Sequence, residues 1–197
     1  MNERFDRLID SYILNKVGID NNLISPALSA GLHQNIIRLQ KDERMMAAGI
    51  GNEKLKDSAQ EMRGDTIHWL DKKHDNAYEQ EYLQLVEDLI AYLNNTCYTG
   101  INAYEFHYAM YEPGSFYKRH KDQFRNDDQR KFSLISYLNA GWQDEDGGAL
   151  LVYPEDGVQK IFPHAQTGVF FKSDEMEHEV TVASRTRMSI TGWLKQV

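Results

Sequence analysis

Cysteine is nearly missing from this sequence. Cys97 is the only one in 197 residues, which excludes an internal disulfide, a cysteine-based zinc site and an iron–sulfur cluster. It also fits a reducing compartment. Proline is scarce at 4 residues and glycine ordinary at 13, so the composition is neither collagen-like nor that of a disordered chain. Long apolar runs are missing too. The longest stretch free of Asp, Glu, Lys and Arg, the 17 residues 21–37, is broken by Asn21, Asn22, Pro26, His33, Gln34 and Asn35, and the next covers the 16 residues 89–104. It contains Asn94, Asn95, Thr96 and Asn102, and is too short and too polar to span a bilayer. The opening "MNERFDRLID" carries charge where a secretion signal needs an apolar core. The expectation is a cytoplasmic protein with no membrane partner. Positive charge is short as well: 22 Lys+Arg against 30 Asp+Glu leave a net charge of −8. That disfavours a nucleic-acid partner, because such binders need cationic surface to displace counterions.

What is present describes a globular protein, 41% hydrophobic and 26% charged. At 22.9 kDa folding buries roughly 70% of the chain's surface, enough for a core without covalent staples. One domain over residues 1–197 is expected. Its pattern changes near residue 100. Before that point Phe5, Leu8, Ile9, Tyr12 and Ile13 recur at helical spacing. Ser25-Pro26 reads as a capping residue and a first-turn proline opening a second helix, with Leu28, Leu32, Ile36 and Leu39 on one stripe. Tyr78, Tyr82, Leu85, Val86, Leu89, Ile90 and Leu93 form the stripe of a third. All three stripes are expected to pack on a sheet.

After residue 100 the period falls to two. Tyr104, Phe106, Tyr108 and Met110 alternate with Ala103, Glu105, His107 and Ala109. Further strands are expected at 115–120, 131–138, 148–153, 159–162, 168–172, 178–183 and 187–194, punctuated by Gly147-Gly148, Glu155-Asp156-Gly157 and Gly168. The fold class this predicts is α+β: a double-stranded β-helix, or jelly roll, over residues 99–197, with the helices of residues 1–98 packed on one face. Residues 45–69 contain a long polar loop with Gly49, Gly51 and one large apolar anchor, Leu55, followed by a strand ending at Trp69. We expect it to be a substrate loop; a connector without contacts is the alternative.

The chemistry lies in the strand half. His120-Lys121-Asp122 is the only His-x-Asp in the chain, and on a strand residues i and i+2 share a side. A solvated pair at a strand end would look the same. His178, in "DEMEHEV", opens a later strand. Two histidines and one carboxylate on one side of a metal leave three open positions, the arrangement suited to non-haem Fe(II) oxygenases. Arg187, in "TRMSITGW", sits among Met188, Ile190 and Trp193, where a guanidinium calls for a buried bidentate partner. An internal Asp or Glu would satisfy it as well as a ligand carboxylate. Arg185, two residues earlier, is expected to reach solvent.

These residues carry a resemblance. The segments "YEPGSFYKRHKD", "LISYLN", "GGALLVYP", "GVFFKSDEMEHEV" and "TRMSITGW" are similar to the Fe(II)/2-oxoglutarate-dependent prolyl 4-hydroxylases. The likeness is greatest to the oxygen-sensing type that modifies hypoxia-inducible factor and to its bacterial homologues. "MRGDTIHW" resembles that subfamily's "RGD-x-I-x-W" segment, so the likeness spans about residues 45–195. It implies that His120, Asp122 and His178 ligate iron, and that Arg187 grips the distal carboxylate of 2-oxoglutarate with help from the hydroxyls of Tyr137 and Thr191. Tyr111 and Tyr117 would line the cosubstrate pocket, although the spacing from Tyr111 to His120 is one residue shorter than in the animal enzymes. Asp65, Ile67, Trp69, Arg130 and Trp193 would contact the substrate; for the two tryptophans plain core packing is equally open. The implied reaction takes Fe(2+), 2-oxoglutarate and O2, with ascorbate as reductant, hydroxylates a prolyl residue of a protein substrate and releases succinate and CO2. Bacterial relatives as a class point to a proline of elongation factor Tu. The other readings are the same chemistry on a small molecule, a free amino acid or a lipid, a cupin-like metal protein, and a catalytically silent sensor. The oligomeric state is open.

Overall fold

The structure is a computed structural model that describes residues 3–49, 62–123 and 128–197. Among the described residues three helices of more than ten residues precede the main β-region. Helix α1 (Glu3–Asn15) buries Phe5, Leu8 and Ile9. Its stripe ends earlier than the spacing predicts, since Ile13 is 65% exposed. Helix α2 (Pro26–Lys41) opens as expected, with the Ser25 hydroxyl accepting from the Leu28 N–H and Pro26 in the first turn. Helix α3 (Ala77–Cys97) is capped by the Asn76 side chain and ends at Tyr98 in a left-handed conformation. Tyr78 also leaves its predicted stripe and is half exposed, while Tyr82, Leu85, Val86, Leu89 and Leu93 are buried.

Eleven strands among the described residues form two antiparallel sheets. They are β1 (Gly18–Asp20), β2 (Met46–Ala47), β3 (Asp65–Trp69), β4 (Ala103–Tyr111), β5 (Tyr117–His120), β6 (Arg130–Tyr137), β7 (Leu150–Val152), β8 (Gln159–Ile161), β9 (Gly168–Lys172), β10 (His178–Val180) and β11 (Arg187–Lys195). The major sheet has the order β1-β9-β6-β11-β4-β3-β2 and the minor sheet β5-β10-β7-β8. All seven strands expected after β4 form, with shifted ends. Strands β1 and β2 are additional edge strands, three and two residues long, too short to leave a periodic signal. Residues 50–61, which include Gly51 and Leu55 of the expected substrate loop, lie outside the described residues.

Two apolar layers result. The helices pack on the outer face of the major sheet against Phe106, Tyr108, Met110, Leu134, Phe170, Ile190 and Leu194. The inner face meets the minor sheet through Ala109, Tyr111, Ile135, Tyr137, Val169 and Phe171 against Leu150, Val152, Ile161 and Val180. Strand β4 is thus buried on both faces, its even positions under the helices and its odd positions between the sheets. The register ranks the inner-face side chains in rows. Arg187 stands opposite Tyr111, and Tyr111 opposite Asp65. The next row joins Tyr137, Ser189, Ala109 and Ile67, and the next Ile135, Thr191, His107 and Trp69. Trp193 opposite Glu105 and Ser133 closes the series. At about 3.4 Å per residue, the six steps from Arg187 to Trp193 span about 20 Å.

Candidate active site

His120 and His178 are direct cross-strand partners on β5 and β10, so pairing of the minor sheet alone brings two imidazoles together. Asp122 joins them by a different route from the one its spacing predicts. Strand β5 ends at His120, and a bend after it carries the carboxylate back under both rings. Asp122 Oδ1 lies 3.5 Å from His120 Nε2, and Oδ2 lies 3.6 Å from His178 Nε2. The three donor atoms fall within 4.8 Å of one another.

Each ring is fixed by the same local device. His120 Nδ1 bonds to the Lys118 carbonyl at 2.7 Å, and His178 Nδ1 to the Met176 carbonyl at 3.2 Å. A carbonyl only accepts, so both Nδ1 atoms carry the proton and both Nε2 atoms keep a free lone pair. His120 Nε2 is buried with no hydrogen-bond partner. An orphaned acceptor beside a carboxylate and a second free imidazole nitrogen is what a divalent cation completes, so the residues fit a metal. The carboxylate is held in turn: Ser133 donates to Asp122 Oδ2 at 2.7 Å and meets Ser173 Oγ at 2.9 Å. Burial pushes the Asp122 carboxyl up, but His178, His120 and the Ser133 hydroxyl outweigh it and hold the group far below the usual carboxylate range. Burial pushes His178 down against the pull of Asp122. Both shifts favour the metal-binding protonation states.

Facing the triad is a cavity of about 130 Å³. Its lining brings together most of the residues singled out in the sequence: Tyr111, Tyr117, Thr191 and Arg187, and also Ile67, Trp69, Arg130 and Trp193. Arg187 is 2% exposed. Its Nε donates to the Gly148 carbonyl at 2.9 Å, and among the described residues no carboxylate lies within ion-pair distance. Among those residues, then, no internal Asp or Glu is its partner. Gly148 can present that carbonyl because it takes a φ of +64°, and a Cβ there would sit 2.9 Å from the Ala183 Cβ. The Tyr111 and Tyr137 rings stand 5.1 and 5.0 Å from the guanidinium carbon, and the buried Tyr137 hydroxyl has no hydrogen-bond partner. Burial, against the opposing guanidinium, raises both phenols, so both remain donors. A buried guanidinium without a carboxylate partner among the described residues, with the Tyr137 hydroxyl beside it, fits one carboxylate of a small diacid. Arg185, by contrast, is exposed and bonded to Asp146 at 2.9 Å.

Asp65 and Tyr137 do not line the cavity. Asp65 has both oxygens held by Arg63, at 2.6 and 2.5 Å. Arg63 in turn lies over the Tyr117 ring at 4.4 Å, and Tyr117 stacks on His120. Asp65 therefore touches the site through Arg63. At the opposite end Arg130 lies 3.4 Å over the Trp193 ring and bonds to Glu105 at 2.9 Å, while Trp69 is 43% exposed at the rim. Arg63, His107, Ser133 and Gly148 were not singled out by sequence. Only Arg63 left a signal, as the basic residue of "MRGDTIHW".

Residues 106–195 match the family described as the 2OG-Fe(II) oxygenase superfamily. The chain superposes on a prolyl-4-hydroxylase of Pseudomonas putida with a TM-score of 0.88 and 32% identity, over 98% of this chain and 99% of that one. The chain belongs to the prolyl 4-hydroxylase family. A prolyl hydroxylase of Trichoplax adhaerens, solved with a peptide fragment of the hypoxia-inducible factor oxygen degradation domain, gives a TM-score of 0.84 at 26% identity over 98% of this chain and 89% of that one. Human Egl nine homolog 1 is 34% identical over 149 residues, which cover 70% of this chain and 34% of that protein. The chain thus spans about a third of the length of that curated relative. Iron(II) and 2-oxoglutarate are the metal and cosubstrate of the family, and the triad and the arginine socket of this chain fit both. Among the described residues no helix is long and apolar enough to cross a membrane.

Proposed function

We propose that this protein is an Fe(II)- and 2-oxoglutarate-dependent dioxygenase that hydroxylates a prolyl residue of a protein substrate. The observation that carries the proposal is the pairing, in one cavity, of a three-residue candidate metal site with a buried guanidinium that has no carboxylate partner among the described residues. When bound, iron with 2-oxoglutarate and O2 supplies an oxidative decarboxylation to succinate and CO2 coupled to hydroxylation of a C–H bond.

The chain's own residues bind, orient and keep dry. His120, Asp122 and His178 hold the metal by one side. The Lys118 and Met176 carbonyls and the Ser133 hydroxyl keep those ligands from rotating. Arg187 takes the distal carboxylate of the cosubstrate, and the Tyr137 and Thr191 hydroxyls add donors from the neighbouring rows. Ile135, Leu150 and Val180 give the cavity apolar walls, which limits water around a reactive centre. Ile67, Trp69, Arg130 and Trp193, at the far end of the rows, receive the polypeptide; Asp65 contributes by fixing Arg63. Ascorbate serves as reductant.

The test is incubation of the protein with Fe(II), ascorbate, 2-oxoglutarate and proline-containing peptides, with peptides of elongation factor Tu among them. A gain of one oxygen on a proline, matched by succinate, is the expected result. Succinate formed only with a free amino acid or other small molecule would overturn the substrate class.

A further inference from the structure

One buried imidazole in the cavity wall is used by neither the metal nor the cosubstrate. His107 is 2% exposed and lies outside the His120, Asp122 and His178 group, so it is no fourth ligand. It stands in the row Thr191–His107–Trp69, one row from Trp193 and two from Arg187. Its ring is 4.9 Å from that of Trp69 and 5.5 Å from that of Trp193, and it lines the cavity. Nδ1 is buried with no hydrogen-bond partner. Burial, then Arg63 and Arg130, push the ring down to about 3 against the weaker pull of Asp122. It is neutral at working pH and carries a single N–H. Nδ1 meets no acceptor among the described residues, so the tautomer with Nδ1 bare and the single proton on Nε2 leaves no N–H unmet at that buried atom. The adjacent Trp193 Nε1 is also buried without a partner. This end of the wall therefore presents the His107 and Trp193 N–H groups as donors, while the Glu105 carboxylate beside them is engaged by Arg130.

A prolyl residue presents the complementary chemistry. Proline has no backbone N–H, so the peptide units around it offer an excess of carbonyl acceptors. We propose that His107 is a substrate-binding residue whose Nε2–H donates to a backbone carbonyl of the polypeptide beside the target proline, between the Trp69 and Trp193 rings. The inference rests on the prolyl-hydroxylase reading and adds to it the group that recognises the peptide backbone.

Two variants separate a donor from a filler. His107→Met keeps apolar bulk and removes the N–H; His107→Gln keeps an N–H near the position of Nε2. The first measurement is the Kd of a labelled proline peptide for protein loaded with Mn(II) and 2-oxoglutarate, which needs no turnover. The second is the split between KM and kcat for the peptide on the iron form. A net hydrogen bond corresponds to about 2- to 12-fold in affinity. His107→Met is expected to raise Kd and peptide KM by about that factor with a smaller change in kcat, and His107→Gln to recover most of the loss. An unchanged Kd in His107→Met, or equal losses in the two variants, would overturn the inference and leave the proline reading standing. Wild-type protein that converts 2-oxoglutarate yet binds no proline peptide would overturn both.

Discussion

Replacing Arg187 by lysine tests the cosubstrate socket most directly. The guanidinium is 2% exposed. Of its donors, the Nε–H is engaged by the Gly148 carbonyl, which leaves its terminal N–H groups for a carboxylate held by two parallel bonds. Lysine offers a point charge and cannot reproduce that fork. The difference between a bidentate charged pair and a single charged contact is about 1.5–3 kcal/mol, or about 10- to 150-fold in the Kd for 2-oxoglutarate. Binding can be read without turnover. At 100 times Kd a ligand adds about 2.7 kcal/mol of stability, about 5–11 °C in Tm for a chain of this size. In the lysine variant at the same concentration the gain falls to about 0.3–1.4 kcal/mol. Metal binding is measured beside it and should change far less, because Arg187 makes no contact with His120, Asp122 or His178. A variant with the wild-type thermal gain and the wild-type KM for 2-oxoglutarate would refute the assignment. The role could not then pass to Arg185, which is exposed and held by Asp146.

Three further outcomes are expected. His178→Ala removes one of three ligands, so bound metal per chain, measured by elemental analysis after dialysis, should fall well below one and turnover should vanish; unchanged stoichiometry would place the metal elsewhere. Ser133→Ala frees Asp122 Oδ2 from its hydroxyl donor and should weaken Mn(II) binding about 10-fold, by titration, with iron concentration partly restoring turnover. His107 is held at about 3 in the fold, below its ordinary 6.5, so the unfolded chain takes up the proton first and stability falls as pH drops from about 6.5 toward 3. Between pH 7 and 5 this contributes a loss of about 2 kcal/mol, and His107→Met should lose about that much less than wild type in denaturant titrations at the two pH values.

Local chemistry made much of this legible. The Ser25-Pro26 helix start, the period-two run of β4 and the Gly147-Gly148 turn act within a few residues, and each appears where it is expected. The metal residues were legible because a fixed spacing, His-x-Asp, had one instance. Their geometry was not: Asp122 reaches the two imidazoles by a bend beyond β5, and strand alternation is not what brings it there. His107 and Ser133 went unseen for one reason. On β4 and β6 they alternate with large apolar residues, the pattern of a strand with one wet face, whereas a second sheet covers that face. Two-sided burial of a strand depends on a partner some forty or more residues away (β7, for β4) and leaves no mark in the strand itself. The short edges β1 and β2 were missed because two or three residues cannot show a period.

The register explains why the site divides its labour by depth. Residues 187, 189, 191 and 193 of β11 share one face, and so do residues 111, 109, 107 and 105 of β4. Each antiparallel pair steps the two series in opposite chain directions, so one end of the shared face gathers Arg187 and Tyr111 and the other Trp193 and Glu105. The charge-seeking end is sealed beneath the Gly147-Gly148 turn, whose positive φ angles deliver a carbonyl to Arg187. The aromatic end opens at Trp69, the half-exposed rim. In the proposed function the closed end takes the small diacid and the open end the polypeptide, with His120 and His178 on the opposing sheet. Slipping β4 by one residue against β11 would turn Tyr111 and His107 under the helices and bring Tyr108 and Met110 into the cavity. The cosubstrate and substrate ends would fail together. That shared dependence ties both functions to a single strand pairing, and the helices that cover Phe106, Tyr108 and Met110 on the outer face hold the register that the inner face uses.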